Sequence, residues 1–377
     1  MKNNKTTTSK RMVSLDWMRG LVMVLMTIDH ASLAFNGSRI SADSAGLYVV
    51  GISYSATEFL TRWISHLCAP TFVLLAGTAL ALSTERRIAK GGNEKEIDIN
   101  LIKRGAIIAA LDPTLISLLK GHLTFQVLFA IGTGMMLMAG LRRLPPLWLF
   151  VLALAWIIGG EAVTLLFWSP EHGWPNALTS ILFVSLYSTD LQINYPIIPW
   201  LSLMMLGWVF GQYLNRYLSG TTSLLSPVRL LAVTALFCLA LFVLFRGFNE
   251  YGNMMLIRES NHWIHWLYVS KYPPSLTFVL LELGLLALCL AGFMLIEKNV
   301  NIRQNGPLLV FGQTALFFYI MHRIILDGSA ALFDLHGFGG LGETYIISLA
   351  TLLALYPACL VYRQYKKDHP HSWVRYI

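Results

Sequence analysis

One apolar segment near the start of the chain carries two pairs of ionisable residues. Residues 14–35 read SLDWMRGLVMVLMTIDHASLAF, which is long enough to cross a bilayer as a helix. Asp16 and Arg19 lie at one end of it, and Asp29 and His30 lie at the other. Such residues usually pair inside a bundle or perform chemistry, because an ionisable side chain at the bilayer centre costs at least ~2.5 kcal/mol. With a rise of ~1.5 Å per residue, ~16 Å separates Arg19 from His30 along the helix axis.

These residue types suit the transfer of an acyl group. Attack of a hydroxyl or an amine on a thioester needs a base for the nucleophile and hydrogen-bond donors for the oxyanion. His30 is the candidate base, with Asp29 beside it and His66 as a second candidate. The candidate oxyanion donors, besides amides at helix ends, are Arg62, Trp200 and Tyr319.

Titratable residues from five apolar segments fall at a similar depth. Counting from the segment ends places them in the outer half of a ~30 Å hydrocarbon core. These residues are His30, His66, Glu161, Glu282 and His322. Any single buried histidine is more often a hydrogen-bonded core residue, but a shared layer favours a functional site. The residues that we expect to bind substrate are therefore Arg62, Glu161, Trp200, Glu282, Tyr319 and His322.

The second apolar segment carries a polar stripe. Glu58, Arg62 and His66 recur at every fourth position, so a continuous helix places them on one face. Pro70 follows on that face and frees a backbone carbonyl beside it. The alternative interpretation is a Glu58–Arg62 ion pair at the interface, with His66 as a hydrogen-bonded core residue.

The composition indicates an integral membrane protein. Of the 377 residues 55% are hydrophobic and only 13% are charged, whereas soluble domains carry about 25% charged residues. We predict an all-α helical bundle that forms one domain over residues 1–377, with residues 179–187 too short to cross. The ten predicted membrane spans are residues 14–35, 58–82, 99–121, 124–141, 145–168, 197–215, 228–245, 274–296, 307–325 and 344–362.

The distribution of basic residues predicts the orientation. Most of the Lys and Arg fall in alternate short connections and at both chain ends, which places residues 1–13 and 363–377 in the cytoplasm. The formal charge of +8 is therefore explained by insertion into a lipid bilayer, and we expect no nucleic-acid partner. We expect a multi-pass protein of the cytoplasmic, or inner, membrane.

Other motifs add little chemistry. The four cysteines lie inside apolar runs without ligand spacing, so we expect neither disulfides nor a metal site. Gly207 and Gly211 match a GxxxG pattern, which predicts close helix packing. There is no inverted repeat of the kind that would favour the rival interpretation, a proton-coupled transporter or carrier of a small or lipid-linked substrate.

Several segments resemble a known family of membrane enzymes. The sequence LDWMRGLVMVLMTIDHA is similar to the opening helix of transmembrane acyltransferases, where Leu-Asp-x-x-Arg-Gly precedes a His-Ala pair. The segments RWISHLCAPTFVLLAG, IPWLSLMMLGWVFG, KYPPS and GQTALFFYIMH extend the resemblance over nearly the whole chain. The chain looks most like bacterial proteins with the heparan-alpha-glucosaminide N-acetyltransferase catalytic domain, which is related to acyltransferase family 3.

The resemblance implies a reaction and its substrates. It implies transfer of an acyl group, typically acetyl, from cytoplasmic acyl-CoA to a sugar on the other side, with a glycan or lipid-linked sugar as the acceptor. His30 matches the histidine of such acyltransferases, although the eukaryotic heparan enzyme has asparagine there, so His66 stays an alternative base. The expected partners for CoA at the inner mouth are Asp16, Arg19, Lys103 and Arg104. A homodimer and a chain without activity are both compatible with the sequence.

Overall fold

The computed structural model describes residues 12–51, 54–169, 175–222, 224–369 and 372, and this part of the chain is overwhelmingly helical. The helices are α1 (Val13–Phe35), α2 (Ala56–Ile64), α3 (Cys68–Ala89), α4 (Glu94–Ala110), α5 (Ser117–Lys120), α6 (Val127–Leu141), α7 (Pro146–Leu165), α8 (Ala177–Leu182), α9 (Ile197–Leu218), α10 (Pro227–Phe248), α11 (Trp263–Leu267), α12 (Leu276–Asn299), α13 (Pro307–Gln313), α14 (Ala315–Leu332) and α15 (Leu341–Asp368). The fold class predicted from the sequence, a helical membrane bundle, is confirmed. We call the side at which α1 begins the inner side and the opposite side the outer side.

Eight helices within the described residues are long and apolar enough to cross a membrane. The α6 helix is apolar but shorter, and α4 continues through a π-helical turn at Asp112–Ile116 into α5. The count of ten spans and the cytoplasmic location of both termini stay predictions. The predicted cytoplasmic ends are residues 1–13 and 363–377. Of these, residues 1–11, 370–371 and 373–377 lie outside the described residues.

Three short strands form the one sheet seen in the described residues. They are β1 (Leu123–Phe125), β2 (Leu186–Tyr187) and β3 (Leu191–Ile193), in the order β1-β3-β2. The β1 strand is parallel to β3, and β2 is antiparallel to it. The segment predicted to be too short to cross, residues 179–187, therefore consists of the end of α8 and the strand β2.

The second span is not one continuous helix. A 3-10 turn at Ser65–Leu67 separates α2 from α3, so the helix is interrupted before Pro70. The carboxylate of Glu58 accepts hydrogen bonds from Asn36 Nδ2 at 2.9 Å and Ser38 Oγ at 2.8 Å. The alternative of a Glu58–Arg62 ion pair is therefore wrong, because loop residues after α1 bind the glutamate instead.

Glycines bring the helices that carry the site into close contact. A Cβ on Gly207 of α9 would lie 1.9 Å from the carbonyl oxygen of Leu74 in α3, and one on Gly211 would lie 2.6 Å from that of Thr78. The packing role predicted for the GxxxG pattern is thereby confirmed. In the same way, a Cβ on Gly20 would lie 1.9 Å from the carbonyl oxygen of Leu308, which fixes α1 against α13.

Candidate active site

A cavity of about 210 Å³, which we call the outer cavity, lies at the outer end of α1. The α1 helix contributes Asp29 and His30 to its wall, and α14 contributes Tyr319. Other polar residues of the wall include Arg39, Arg62, Lys120, Gln192, Lys271 and Tyr272. The outer cavity is thus built from α1, the loop after it, α2, α3, α5, α6, β2, β3, the segment before α12 and α14.

A network of buried charges supports one wall of the outer cavity. The Asp29 carboxylate accepts hydrogen bonds from Arg39 Nη2 at 2.8 Å, Arg62 Nη1 at 2.7 Å and Ser65 Oγ at 2.9 Å. Arg62 also donates from Nε to Asp43 at 2.8 Å, and from Nη2 to the same carboxylate. All three guanidinium nitrogens of Arg62 are therefore engaged, so this residue holds the wall and is a poor candidate oxyanion donor.

Asp43 connects two segments of the outer side. Its backbone carbonyl accepts from the amides of Lys271 at 2.9 Å and Tyr272 at 3.3 Å. Burial by itself raises the pKa of the Asp43 carboxyl, but the Arg62 guanidinium outweighs burial and holds that pKa well below its usual range. Asp43 therefore carries a negative charge, which balances the positive charge of the buried Arg62 guanidinium.

Removal of the Asp43 charge is expected to destabilise the protein. In Asp43→Asn the buried Arg62 guanidinium keeps only Asp29 as its anion, and breaking a buried ion pair costs about 3 kcal/mol. The measurement is the thermal unfolding midpoint in detergent. The control is Glu94→Gln, because Glu94 also pairs with an arginine but is 61% exposed, so we expect a loss below ~1 kcal/mol. Equal midpoints for the two variants would contradict a structural role for the Asp43 charge.

His30 lies against a second histidine. Its Nδ1 is 2.6 Å from Nε2 of His322, and the two rings are nearly parallel, at 14°, with centroids 4.9 Å apart. His322 is fully buried behind His30 and does not line the outer cavity. The side chain of His30 therefore separates the outer cavity from His322.

The other candidate base, His66, occupies a different environment. Its Nε2 is 3.6 Å from a carboxylate oxygen of Asp43, and its ring packs on Phe278 at 5.9 Å between centroids. His66 is buried and is absent from the wall of the outer cavity. Of the two candidate bases, only His30 is brought to the outer cavity.

A second cavity of about 350 Å³, which we call the inner cavity, lies between α1, α3, α4, α6, α14 and α15. Arg19, Arg104 and Lys366 line it with positive charge. Arg19 also hydrogen-bonds to Asp16 at 3.1 Å, so Asp16 supports Arg19. Lys103 and Arg104 are both exposed, but Lys103 does not belong to the wall. The structure thus brings together Arg19 and Arg104 of the predicted CoA partners and leaves Lys103 outside.

The two cavities are adjacent and have three lining side chains in common. Phe72, Val127 and Tyr319 line both the outer and the inner cavity, and we call these three residues the junction. None of the hydrogen bonds found within the described ranges involves the Tyr319 hydroxyl, and the Tyr319 ring lies edge-on to His30 at 6.2 Å between centroids. The Tyr319 side chain, which carries a hydroxyl group, is therefore shared by the two cavities and lies beside the candidate base.

The outer cavity has a neighbouring hollow at the loop after α1. A more open hollow of about 540 Å³ lies against the loop after α1 and the start of α2. It shares Arg39, Ser41 and Leu47 with the outer cavity. Arg39, Ser41 and Leu47 therefore lie between this hollow and the outer cavity.

Besides His322, three other residues that the sequence placed in the substrate site do not line the outer cavity. Glu161 accepts a hydrogen bond from the Gly252 amide at 2.7 Å and thereby anchors the loop after α10. Trp200 is fully buried and packs on Tyr195 at 4.7 Å between centroids. Glu282 is buried, and neither carboxylate oxygen has a hydrogen-bond partner among the described residues. Similar depth in the membrane does not determine the direction of a side chain.

The sequence interpretation missed Arg39, Asp43 and Lys271. The Lys271 side chain is only 3% exposed, and its ammonium group contacts the Tyr272 ring at 5.2 Å. In the described part of the chain no carboxylate forms an ion pair with that ammonium group. Charge balance could have indicated Asp43. A buried arginine such as Arg62 beside a single aspartate indicates that a further carboxylate lies nearby.

Comparison with known families agrees with this geometry. The family described as "Heparan-alpha-glucosaminide N-acetyltransferase, catalytic" matches residues 11–246, which is more than half of the chain. The chain belongs to this family. Membership makes it a multi-pass protein of a membrane acetyltransferase family, a class that uses acetyl-CoA in general. No curated protein sequence matches the chain.

The matched region contains much of the site. Residues 11–246 include Arg19 and His30 of α1, the buried partners Arg62 and Asp43, and Arg104 of the inner cavity. Tyr319, His322 and Lys271 lie beyond it. Within the described ranges, no group of three or more His, Cys, Asp and Glu side chains is placed to hold a metal ion.

Proposed function

We propose that this chain transfers an acyl group, most simply acetyl, from acyl-CoA in the inner cavity to a sugar hydroxyl or amine in the outer cavity. The inner side then faces the cytoplasm and the acceptor is a glycan or lipid-linked sugar on the far side of the cell's inner membrane. The observation that supports the proposal is the junction, since a basic cavity and a histidine-lined cavity are adjacent and share Tyr319.

The inner cavity has the chemistry that CoA requires. Arg19, Arg104 and Lys366 supply three positive charges for its phosphates. The ~16 Å from Arg19 to His30 along α1 is a distance that the extended pantetheine arm can span. The thioester then lies at the junction, beside the Tyr319 hydroxyl.

Residues of the outer cavity supply the catalytic groups. His30 Nε2 takes the proton of the acceptor hydroxyl or amine while the acceptor atom bonds to the thioester carbon. Tyr319 donates a hydrogen bond to the carbonyl oxygen as negative charge develops on it. The carbon–sulfur bond then breaks, and His30 returns the proton to the CoA sulfur. Lys271, whose ammonium group has no carboxylate partner among the described residues, is positioned to bind the acceptor.

The direct test is binding and turnover of acetyl-CoA by the purified protein in lipid nanodiscs. We expect saturable binding by calorimetry and slow release of free CoA thiol when water replaces the acceptor. A protein that binds no acetyl-CoA and releases no thiol, but moves protons or solute across liposomes, would instead be the transporter.

The basic residues of α4 provide a matched pair of variants. Arg104 lines the inner cavity and the adjacent Lys103 does not. We expect Arg104→Ala to raise the KM for acyl-CoA about tenfold, because a lost charged contact to phosphate costs ~1.5 kcal/mol. Lys103→Ala should leave KM within twofold, and Arg19→Ala should resemble Arg104→Ala. Equal KM values for the Arg104 and Lys103 variants would contradict CoA binding in the inner cavity.

A further inference from the structure

The contact between His30 and His322 determines which nitrogen of His30 carries hydrogen. The His322 Nδ1 lies 3.0 Å from the carbonyl oxygen of Phe318, one turn earlier in α14. A carbonyl only accepts hydrogen bonds, so Nδ1 of His322 carries the hydrogen. In a neutral imidazole the other nitrogen, Nε2, then bears a lone pair.

That lone pair points at His30. Since Nε2 of His322 is an acceptor and lies 2.6 Å from Nδ1 of His30, the His30 Nδ1 must donate. A neutral His30 therefore has its own lone pair on Nε2. Among the described residues none hydrogen-bonds to that nitrogen, and the ring of His30 lines the outer cavity. The base is thus presented in the form that can accept a proton from a substrate.

Asp29 does not perform this task, although it precedes His30 in the chain. In many hydrolases a carboxylate orients the catalytic imidazole. Here the hydrogen bonds that Asp29 accepts come from Arg39, Arg62 and Ser65. The Asp29 carboxylate is therefore committed to the wall of the outer cavity, and the imidazole of His322 takes the place of the orienting group.

We propose that His322 is a positioning residue that fixes the Nδ1–H tautomer of His30 and keeps Nε2 available as the base. When His30 Nε2 takes the acceptor proton, the ring becomes an imidazolium whose Nδ1–H still donates to His322. That hydrogen bond then has a charged donor and is roughly twice as strong as the neutral one. When His30 Nε2 returns the proton to the CoA sulfur, both rings regain their starting state. The inference rests on the proposed function, because it assigns His30 as the base.

Two variants separate this role from simple packing. His322→Phe keeps a planar ring against His30 but has no acceptor, whereas His322→Gln keeps a side-chain oxygen that can accept from Nδ1. We expect His322→Phe to lower kcat on the order of 100-fold with the KM for acyl-CoA within twofold. The kcat of His322→Gln should be at least tenfold higher than that of His322→Phe. Equal kcat values for the two variants, or a change confined to KM, would overturn the assignment.

Nitrogen-15 NMR of histidine-labelled protein in nanodiscs measures the tautomer without any turnover. The His30 signals are assigned by their loss in His30→Gln. We expect hydrogen on Nδ1 of His30 in the wild type and in His322→Gln, and a mixture or a shift to Nε2 in His322→Phe. Hydrogen on Nε2 in the wild type would overturn the inference even if no phenylalanine variant folds. Full activity of His30→Gln with the expected spectra would instead refute the proposed base.

Discussion

His30→Gln is expected to lower kcat for acyl transfer by ~10²–10⁴-fold, the usual loss on removal of a general base. Glutamine approximates the length of histidine and can still donate to Nε2 of His322, so the packing behind the outer cavity is retained. The KM for acyl-CoA should stay within about threefold, because the phosphates bind ~16 Å away at Arg19. The measurement is steady-state release of CoA thiol in the presence of acceptor-containing membranes.

The control for this prediction is His66→Gln. His66 is buried beside Asp43 and does not line the outer cavity, so its loss should affect folding more than chemistry. We expect a lower thermal midpoint and a kcat within a few-fold of the wild type when it is corrected for the folded fraction. If the two histidine variants exchange these results, His66 is the base.

Tyr319→Phe is expected to lower kcat on the order of 100-fold, a typical cost for the loss of one oxyanion donor. The aromatic ring that lines both cavities is kept, and only the hydroxyl at the junction is removed. Because the hydroxyl binds charge that develops in the transition state, KM should change little. The measurement is the separate determination of kcat and KM for acetyl-CoA.

Tyr356→Phe is the matched control for Tyr319→Phe. The Tyr356 hydroxyl donates to the backbone carbonyl of Asn305 at 2.6 Å and lines neither cavity. Its loss should leave kcat within twofold. A Tyr319 variant with a normal kcat would place the thioester away from the junction.

The sequence predicted the fold because its strongest signals are periodic and local. Apolar segments, and glycines such as Gly207 spaced for close packing, determine a helical bundle with little help from tertiary context. The two ends of α1 line different cavities, Arg19 the inner one and His30 the outer one, and the roles assigned to these residues stay predictions. The number of residues between two positions of a helix gives their separation along the helix axis, and hence their difference in depth in the membrane.

The sequence alone could not predict the partners of the site residues. Asp43 lies in a loop without regular periodicity, so nothing in its neighbours shows that it meets Arg62. Glu161 binds the amide of Gly252 instead of lining the outer cavity, because a depth counted along the sequence does not fix rotation about the helix axis. The contact between His30 and His322 joins residues 292 positions apart, and only the folded chain shows it.

Transfer across the bilayer is the central claim, and vesicles of defined orientation test it most directly. Inside-out and right-side-out membrane vesicles are prepared from the protein's own host cells, so that the native acceptor is kept, and acetyl-CoA does not cross the lipid bilayer. The orientation of the vesicles is measured by labelling the Trp263→Cys variant with an impermeant thiol reagent. Trp263 is suitable because it is 40% exposed and lies in α11, before the start of α12. His30→Gln vesicles supply the background.

We predict that external radiolabelled acetyl-CoA labels the acceptor on the luminal face of inside-out vesicles, where an added impermeant glycosidase or lipase cannot reach it until detergent is added. Right-side-out vesicles should incorporate no more label than vesicles that contain the His30→Gln variant. Label that is accessible to the external enzymes in intact inside-out vesicles, or incorporation from acetyl-CoA outside right-side-out vesicles, would contradict transfer through the junction.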